Sequence, residues 1–158
     1  MARENIIEIR FGSEIQHVDL VHSVCDSISA HIGLDENQAL NLGLAVREAT
    51  INAIKHGNRN DPRKKVCVHF RYTRNQVTVS IRDRGEGFNP EATPDPRLPE
   101  NIHRPSGRGF LMMRAFVDRV EVASDRSRGS IVRLFKKAPG RGSVRKREGS
   151  PAPSAMGG

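Results

Sequence analysis

Hydrophobic residues recur with two different periods along this chain, and the change from one to the other separates predicted helices from predicted strands. Up to about residue 57 the period is helical. A first helix is predicted from near Ser13 to Gly33, with the apolar stripe Val18, Val21, Val24, Cys25, Ile28 and Ile32. A second is predicted from its cap Asp35 to about Gly57 and Asn58, with the buried stripe Leu40, Leu44, Ile51 and Ile54.

Beyond residue 60 the period becomes two, which is typical of strands. Apolar residues alternate over 66–70 and again over 77–81, and residues 74–76 form a turn between them, so an antiparallel hairpin is predicted. The isoleucine cluster of 5–11 predicts an earlier strand, and residues 120–134 predict two more, joined at Arg128-Gly129. Because hairpins dominate, the pattern favours an α+β sandwich with helices on one face of a mixed or antiparallel sheet.

A proline-rich segment and a glycine pair interrupt this alternation. Residues 89–106 contain five prolines, and an ordered loop of that length is typical of a lid or binding loop. Gly107 and Gly109 then open a predicted helix. A glycine turn that leads into a helix N-terminus suits phosphate, since free N–H groups and the helix dipole both favour anions. Close helix packing would explain these glycines equally well.

Composition indicates one ordinary globular domain with a charged tail. The chain is 36% hydrophobic and 28% charged, with a net charge of +8. From Lys136 onward six basic residues face one acidic residue, which places +5 of that charge at the end of the chain. We therefore expect a folded domain over 1–137 and a disordered basic tail over 138–158. Direct binding of nucleic acid is not expected.

Neither a membrane segment nor a disulfide is predicted. No apolar run approaches the ~20 residues that span a bilayer, and the first residues lack a signal peptide's cleavage site. Cys25 and Cys67 are far apart and have no metal-ligand spacing, so both are expected to be reduced, buried and structural. The sequence thus predicts a cytoplasmic protein.

The second predicted helix carries an unusual polar row. Glu48, Asn52, Lys55 and His56 follow each other at helical spacing on one stripe. For an isolated helix, a solvated face is the favoured interpretation. Asn52 argues against it, because Asn is a poor residue inside a helix, whereas its side-chain oxygen is a ligand for a hard cation.

A second polar motif follows the predicted hairpin. Asp83 ends a strand and is followed by Gly85 and Gly87, which would let the backbone approach a ligand closely. A plain turn accounts for this motif equally well. No GxxxxGK[ST] or GxGxxG occurs, which excludes the phosphate-loop and Rossmann templates.

The order of these motifs resembles the N, G1, G2 and G3 boxes of the Bergerat ATP-binding fold, a two-layer α/β sandwich. The matching segments are ExxxNAxKH at 48–56, DxGxGF at 83–88, GxGF at 107–110 and GS at 129–130. The resemblance covers residues 5 to 136. Within that superfamily, LGLAVREATINAIKHGN and SGRGFLMM most resemble the anti-sigma factor serine/threonine kinases.

The resemblance implies ATP and Mg²⁺ as cofactors and a role for each matching residue. Asn52 would bind Mg²⁺, Asp83 would accept a hydrogen bond from the adenine amine, and Glu48 would orient or deprotonate the attacking hydroxyl. Gly85 and Gly87 would leave room for base and sugar, and Gly107 and Gly109 would hold phosphates. Further nucleotide-binding positions implied by the match are Lys55, His56, Phe88, Arg104, Arg108, Phe110 and Ser130.

Three functions stay open on the sequence. The first is a serine/threonine protein kinase that phosphorylates an anti-anti-sigma protein of the STAS type and sequesters a sigma factor. The second is an ATP-binding partner-switching regulator with little kinase activity and another target, such as a phosphatase. The third is the catalytic domain of a sensor histidine kinase, which the fewer than ~50 residues before the central helix disfavour. The resemblance also implies a homodimer.

Overall fold

One antiparallel sheet and a layer of helices make up the fold. The computed structural model describes residues 3–85, 105–125 and 129–139. Its elements are β1 (Asn5–Gly12), α1 (Val18–His31), α2 (Glu36–Asn52), β2 (Lys65–Tyr72), β3 (Gln76–Arg82), α3 (Pro105–Phe116), β4 (Arg119–Asp125) and β5 (Gly129–Lys137). The described strands are ordered β1-β2-β3-β5-β4, and each neighbouring pair is antiparallel. The predicted α+β fold is confirmed, with the antiparallel form of the sheet.

The ends of α1 and α2 follow the predicted signals. A short 3₁₀ turn, Ile15–His17, precedes α1, and Gly33 follows that helix with φ +78°. Asp35 then caps α2: its Oδ1 accepts a hydrogen bond from Gln38 N–H at 2.7 Å, while Gln38 Oε1 accepts one from Asp35 N–H at 3.1 Å. This reciprocal capping box fixes where α2 begins.

The hairpin of β2 and β3 supplies the sheet side of the core. Its inward residues alternate as the sequence predicted and are all at most 2% exposed: Val66, Val68, Phe70, Val77, Val79 and Ile81. The predicted stripe of α1 is also buried, apart from the half-buried Val24. The inward residues of these strands and the apolar stripe of α1 therefore pack together in a single core cluster.

The stripe predicted for α2 is wrong at its first positions. Leu40 is 54% exposed and Leu44 only half-buried. The helix instead buries Leu42, Gly43, Ala45, Val46, Ala49 and Thr50. Since α2 contacts α1, α3, β3 and β5, small side chains rather than leucines occupy the faces where its neighbours approach closely.

The third helix begins earlier than the glycine pattern predicted. α3 starts at Pro105, so Gly107 and Gly109 lie within its first turns and not in a turn before it. Proline suits a first helical position, because its missing N–H has no intrahelical partner there. Among the side chains described from Arg108 onward, the buried hydrophobic ones of this segment are Phe110, Met113 and Val117.

Both cysteines are free, but they differ in surroundings. Cys25 is buried in the core, whereas Cys67 is only partly buried, so the prediction of two buried thiols is wrong for Cys67. Cys67 lies on β2 at a position that points away from the helices. Within the described ranges no helix combines the length and apolarity that crossing a bilayer requires.

Candidate functional site

The end of α2 is where the predicted polar row lies. The α-helical pattern stops at Asn52, and Ala53–Gly57 form one π-helical turn, a feature that often occurs at functional sites. Asn52 is therefore at the junction of two helix types, which explains why Asn is tolerated there. Its side chain is half-buried and has no hydrogen-bond partner among the described residues, so its amide oxygen is free to bind a ligand.

Asp83 follows the end of β3 and is tied to two other segments. Its Oδ1 accepts hydrogen bonds from Gly85 N–H at 2.8 Å and from Ser130 N–H at 3.1 Å. Its own N–H donates to the Ser130 carbonyl oxygen at 3.0 Å. The residue is 6% exposed, and no described donor reaches Oδ2. A nearly buried carboxylate oxygen without a donor suits an N–H group of a ligand.

Glycines surround Asp83 because no larger residue fits. A Cβ built at Gly57 would lie 2.8 Å from Asp83 Cβ and closer still to its carboxylate. One at Gly85 would meet the Gly57 carbonyl group, and one at Gly129 would lie 2.8 Å from Arg84 Cα. Gly129 also has φ +83°, whereas Gly57 has no positive φ and is required by close approach alone.

Burial raises the pKa of the Asp83 carboxyl, against the opposing effect of the Gly85 and Ser130 N–H groups and of Lys64. The two N–H groups point at Oδ1 and favour the ionised form. An ionised Asp83 thus keeps one oxygen occupied by the protein and presents the other as an acceptor. An acceptor oxygen of this kind would suit the exocyclic amine of adenine, which is the contact that the sequence resemblance implied.

Glu48 lies where α2 and α3 meet. A Cβ built at Gly109 would lie 2.8 Å from Glu48 Cδ, so the glycine gives room for the Glu48 side chain. Burial raises the pKa of Glu48, although His56 and Lys55 act in the opposite direction. The carboxylate makes no hydrogen bond or ion pair with a described residue. A half-buried, unpaired carboxylate with a raised pKa is suited to accept a proton.

The other predicted site residues are placed unevenly. Lys55, His56 and Arg108 are exposed, and Phe110 is buried with the Arg114 guanidinium 4.6 Å from its ring centroid. Ser130 is 3% exposed and contacts Asp83 through its backbone. Gly107 is in the first turns of α3. Three predicted positions lie outside the described residues: Gly87, Phe88 and Arg104.

Sequence reasoning missed Asn58, which holds the site together. Its side chain is fully buried, and its Oδ1 accepts a hydrogen bond from Arg84 N–H at 2.7 Å. Its Nδ2 donates to Ser13 Oγ at 2.8 Å and to the carbonyl oxygens of Lys64 and Lys65 at 3.3 and 3.2 Å. Asn58 thereby fixes the residues beside Asp83 against the end of the π-helical turn. The sequence signalled only a helix stop at this position.

The chain matches a known family of protein domains over most of its length. The family described as the histidine kinase-like ATPase domain matches residues 11–136. This match includes α2, Asp83 and the described parts of α3 and β5. The chain belongs to that family of ATPase domains, and the Bergerat fold predicted from the sequence is confirmed.

Within the family the chain belongs with the anti-sigma F factors. The anti-sigma F factor of Clostridium perfringens (strain SM101 / Type A) is 32% identical over 138 residues, which is 85% of this chain and 97% of that protein. That of Thermoanaerobacter sp. (strain X514) is 27% identical over 138 residues, or 86% of this chain and 96% of that protein.

A solved structure agrees on the fold. The crystal structure of the RsbU and RsbW domains of Rv1364c from Mycobacterium tuberculosis matches with a TM-score of 0.62 at 20% identity. The match covers 87% of this chain and 34% of that one, so the chain spans about a third of the matched structure.

Proposed function

We propose that this protein is an ATP-dependent serine/threonine protein kinase that acts as an anti-sigma factor. The observation that carries the proposal is a set of three oxygen acceptors for which no described residue supplies a donor. Glu48 and Asn52 lie four residues apart on α2, and Asp83 packs against Gly57 in the turn that continues this helix. The names of its relatives give the regulatory half of the proposal. Phosphoryl transfer depends mainly on positioning and charge neutralisation, so a sparse set of side chains can suffice.

Each of the three acceptors has a separate task in the proposed reaction. Asp83 Oδ2 accepts a hydrogen bond from the adenine amine. The Asn52 amide oxygen holds Mg²⁺, which neutralises phosphate charge when bound. Glu48 takes the proton of the substrate serine hydroxyl as that oxygen attacks the γ-phosphorus and ADP leaves. The raised pKa of Glu48 makes its carboxylate a stronger base than that of an ordinary glutamate.

The glycines and the start of α3 complete the proposed nucleotide site. Gly85 and Gly87 give room for base and sugar. The free N–H groups in the first turn of α3, which include that of Gly107, hold phosphate oxygens. Gly109, beyond that turn, gives room for Glu48 beside the phosphates. Arg104, Arg108, Lys55 and His56 are proposed to contribute positive charge near the phosphates, and Phe88, Phe110 and Ser130 to shape the site.

The proposed partners are a sigma factor and an anti-anti-sigma protein of the STAS type, both in the cytoplasm. Phosphorylation of a serine on the anti-anti-sigma protein would release that partner and leave the kinase free to hold the sigma factor. We also propose a homodimer, for which light scattering coupled to size-exclusion chromatography is the direct measurement. A single species with the 17.5 kDa mass of one chain would contradict the dimer.

The deciding experiment combines purified protein, labelled ATP, Mg²⁺ and a candidate anti-anti-sigma protein. Label that appears on a serine of the partner, and that is absent with Asp83→Asn, supports the kinase. Nucleotide binding without transfer would instead favour the partner-switching regulator with little kinase activity. Acid-labile label on a histidine would contradict both.

A further inference from the structure

The face of the sheet opposite the helices carries a second concentration of charge. Inward residues of β2 and β3 are buried beneath the helices, so the alternate residues of the same strands point to the other side. This outer face holds a cavity of about 490 Å³. The cations that line it are Arg10, Lys65, Arg71, Arg82, Arg84 and Arg133, and no carboxylate of the described chain is among its lining residues.

Several of these cations make no ion pair within the described ranges, although Glu121 on β4 lies opposite Arg133 in the strand register. Arg10 is paired with Glu8 at 2.5 Å and Arg71 with Glu4 at 3.0 Å. Lys65, Arg82 and Arg133 make no ion pair with any residue in the described ranges. Like charges held this close on one rigid sheet repel each other, and an external anion would relieve that repulsion.

The strand register places a hydroxyl among these cations. Ser80 lies opposite Arg133 on β5 and opposite His69 on β2. Arg82 is two residues further along β3 on the same face, and Arg71 is diagonal to Ser80 across β2. Strands lie about 4.8 Å apart, so guanidinium groups can reach the region above Ser80 from both sides.

We propose that the outer face binds a compact polyanion that carries two or more linked phosphate groups, with Arg82, Arg133 and Ser80 at its centre. Arginine suits this ligand because its planar fork donates two hydrogen bonds to one phosphate. The cavity volume is that of a small-molecule site. No phenylalanine, tyrosine or tryptophan is among the described residues that line it. Tyr72 and Phe135 line a smaller adjoining cavity, and the Arg119 guanidinium already lies 4.0 Å from the Phe135 ring centroid, so little aromatic surface is open to stacking by the bases of a single strand.

Other occupants fit the same face less well. A second copy of this chain would bring two basic faces together, which electrostatic complementarity disfavours. Glu8, Cys67 and His69 are close enough to share a metal ion, but the Glu8 carboxylate is already bonded to Arg10, and the surrounding cations oppose a dication. An anion is the ligand whose charge matches the site.

This surface is separate from the nucleotide site. Arg82 and Arg84 flank Asp83 in the sequence, but they line the outer face, whereas Asp83 lies nearly buried behind the sheet. Anion binding on the outer face therefore does not depend on the proposed kinase activity. A failure of either proposal leaves the other testable.

The test uses the full chain and inorganic tripolyphosphate in isothermal titration calorimetry, with and without saturating ADP and Mg²⁺. We expect saturable one-to-one binding under both conditions, and a loss of at least tenfold in affinity for Arg82→Gln/Arg133→Gln. The matched control is Arg47→Gln/Arg63→Gln, which removes the same charge from residues away from this face, and it should stay within twofold of the unmodified protein. Thermal melting checks that both variants are folded.

Further arms separate the proposal from its competitors. Ser80→Ala should weaken tripolyphosphate a few-fold without changing ADP affinity. Equal losses in both double variants would mean a general charge effect and overturn the proposal, as would displacement by ADP or an affinity no higher than that of sulfate. Tighter binding of a DNA oligonucleotide at equal phosphate concentration, lost in the outer-face variant, would overturn it in favour of a nucleic-acid surface.

Discussion

Asp83 combines a structural and a proposed ligand-binding task in one carboxylate. Oδ1 is held by two backbone N–H groups, and Oδ2 has no described donor. The raised pKa shows that the site makes ionisation of this group costly. In the absence of ligand, the residue therefore lowers stability at neutral pH relative to a neutral residue of the same shape.

We predict that Asp83→Asn weakens ADP binding by ~10-fold or more, the usual effect of losing a hydrogen bond to a charged group. Its melting temperature at neutral pH should be unchanged or higher, because the Asn carbonyl oxygen can still accept both N–H groups. Calorimetry and thermal unfolding measure the two effects. Undiminished ADP affinity would remove Asp83 from the adenine site.

The same substitution has a signed pH dependence. An acid whose folded pKa is raised gives a stability contribution that is fully present below its unfolded pKa of about 3.9 and is lost as pH rises through the folded value. The stability of Asp83→Asn relative to the unmodified protein should therefore increase from about pH 4 upward and level off above the raised pKa. A constant difference across that range would show that the carboxyl is not perturbed.

Substitution of Glu48 should change the rate of phosphoryl transfer rather than the affinity for nucleotide, because Glu48 is proposed to act in the chemical step. Glu48→Gln should retain ADP binding and slow phosphoryl transfer by ~10²-fold or more. In the unmodified protein, transfer should rise with pH through the raised pKa of Glu48, and that rise should be absent from the variant. Glu36→Gln, an exposed change on the same helix, is the control. Full transfer activity in Glu48→Gln would reject the role of base.

At the scale of elements, the contact between the π-helical turn and the end of β3 determines where Asp83 points. Gly57 and Gly85 meet through their backbones, with no space for a side chain between them. Asn58 then fastens the same junction through Arg84 N–H. The position of Asp83 therefore depends on how closely α2 approaches the sheet.

We predict that Gly57→Ala weakens ADP binding at least as much as Asp83→Asn, because the added methyl group overlaps the Asp83 side chain. Gly33→Ala is the matched control: its φ of +78° should cost roughly 1–2 kcal/mol of stability, but open space surrounds it and ADP binding should be unaffected. The measurements are ADP affinity by calorimetry and melting temperature by thermal unfolding, both made on the two variants. Equal ADP affinity in the two would show that close approach at Gly57 does not position Asp83.

Local signals predicted the elements better than the contacts between them. The Asp35 cap and the alternation in β2 and β3 are physical preferences of short segments, and all are confirmed. The burial of α2 could not be predicted in the same way, because the exposure of Leu40 and the burial of Ala45 depend on the neighbouring elements α1, α3, β3 and β5. Asn58 was missed for a similar cause, since its partners come from residues distant in the sequence.

At the scale of the whole molecule, the order of motifs identified the family where no single motif did. Asp83 with its glycines described a turn equally well, and the row on α2 described a solvated face. Only the order of the motifs, from the row at 48–56 to the pair at 129–130, distinguished this fold from others, and the family match then covers residues 11–136. The roles of Gly87, Phe88 and Arg104 stay predictions, because those residues lie outside the described ranges.

The predicted boundary of the folded domain can be tested by truncation. β5 ends at Lys137, and Ala138 N–H still donates to the Asn75 carbonyl oxygen at 2.7 Å. We predict that removing residues 140–158 leaves the melting temperature within about 2 °C and ADP affinity within twofold, since the last described strand pairing is retained. A loss of many degrees would show that the tail belongs to the folded domain.

The double link between Asp83 and Ser130 has a consequence for how the protein can be observed. The Ser130 amide hydrogen is held by the Asp83 carboxylate rather than by a strand partner. The rate at which this hydrogen exchanges with deuterium therefore depends on the ionisation of Asp83 and not only on local opening of the sheet. A single amide signal could thus follow the charge state of the pocket in solution, with no nucleotide label attached.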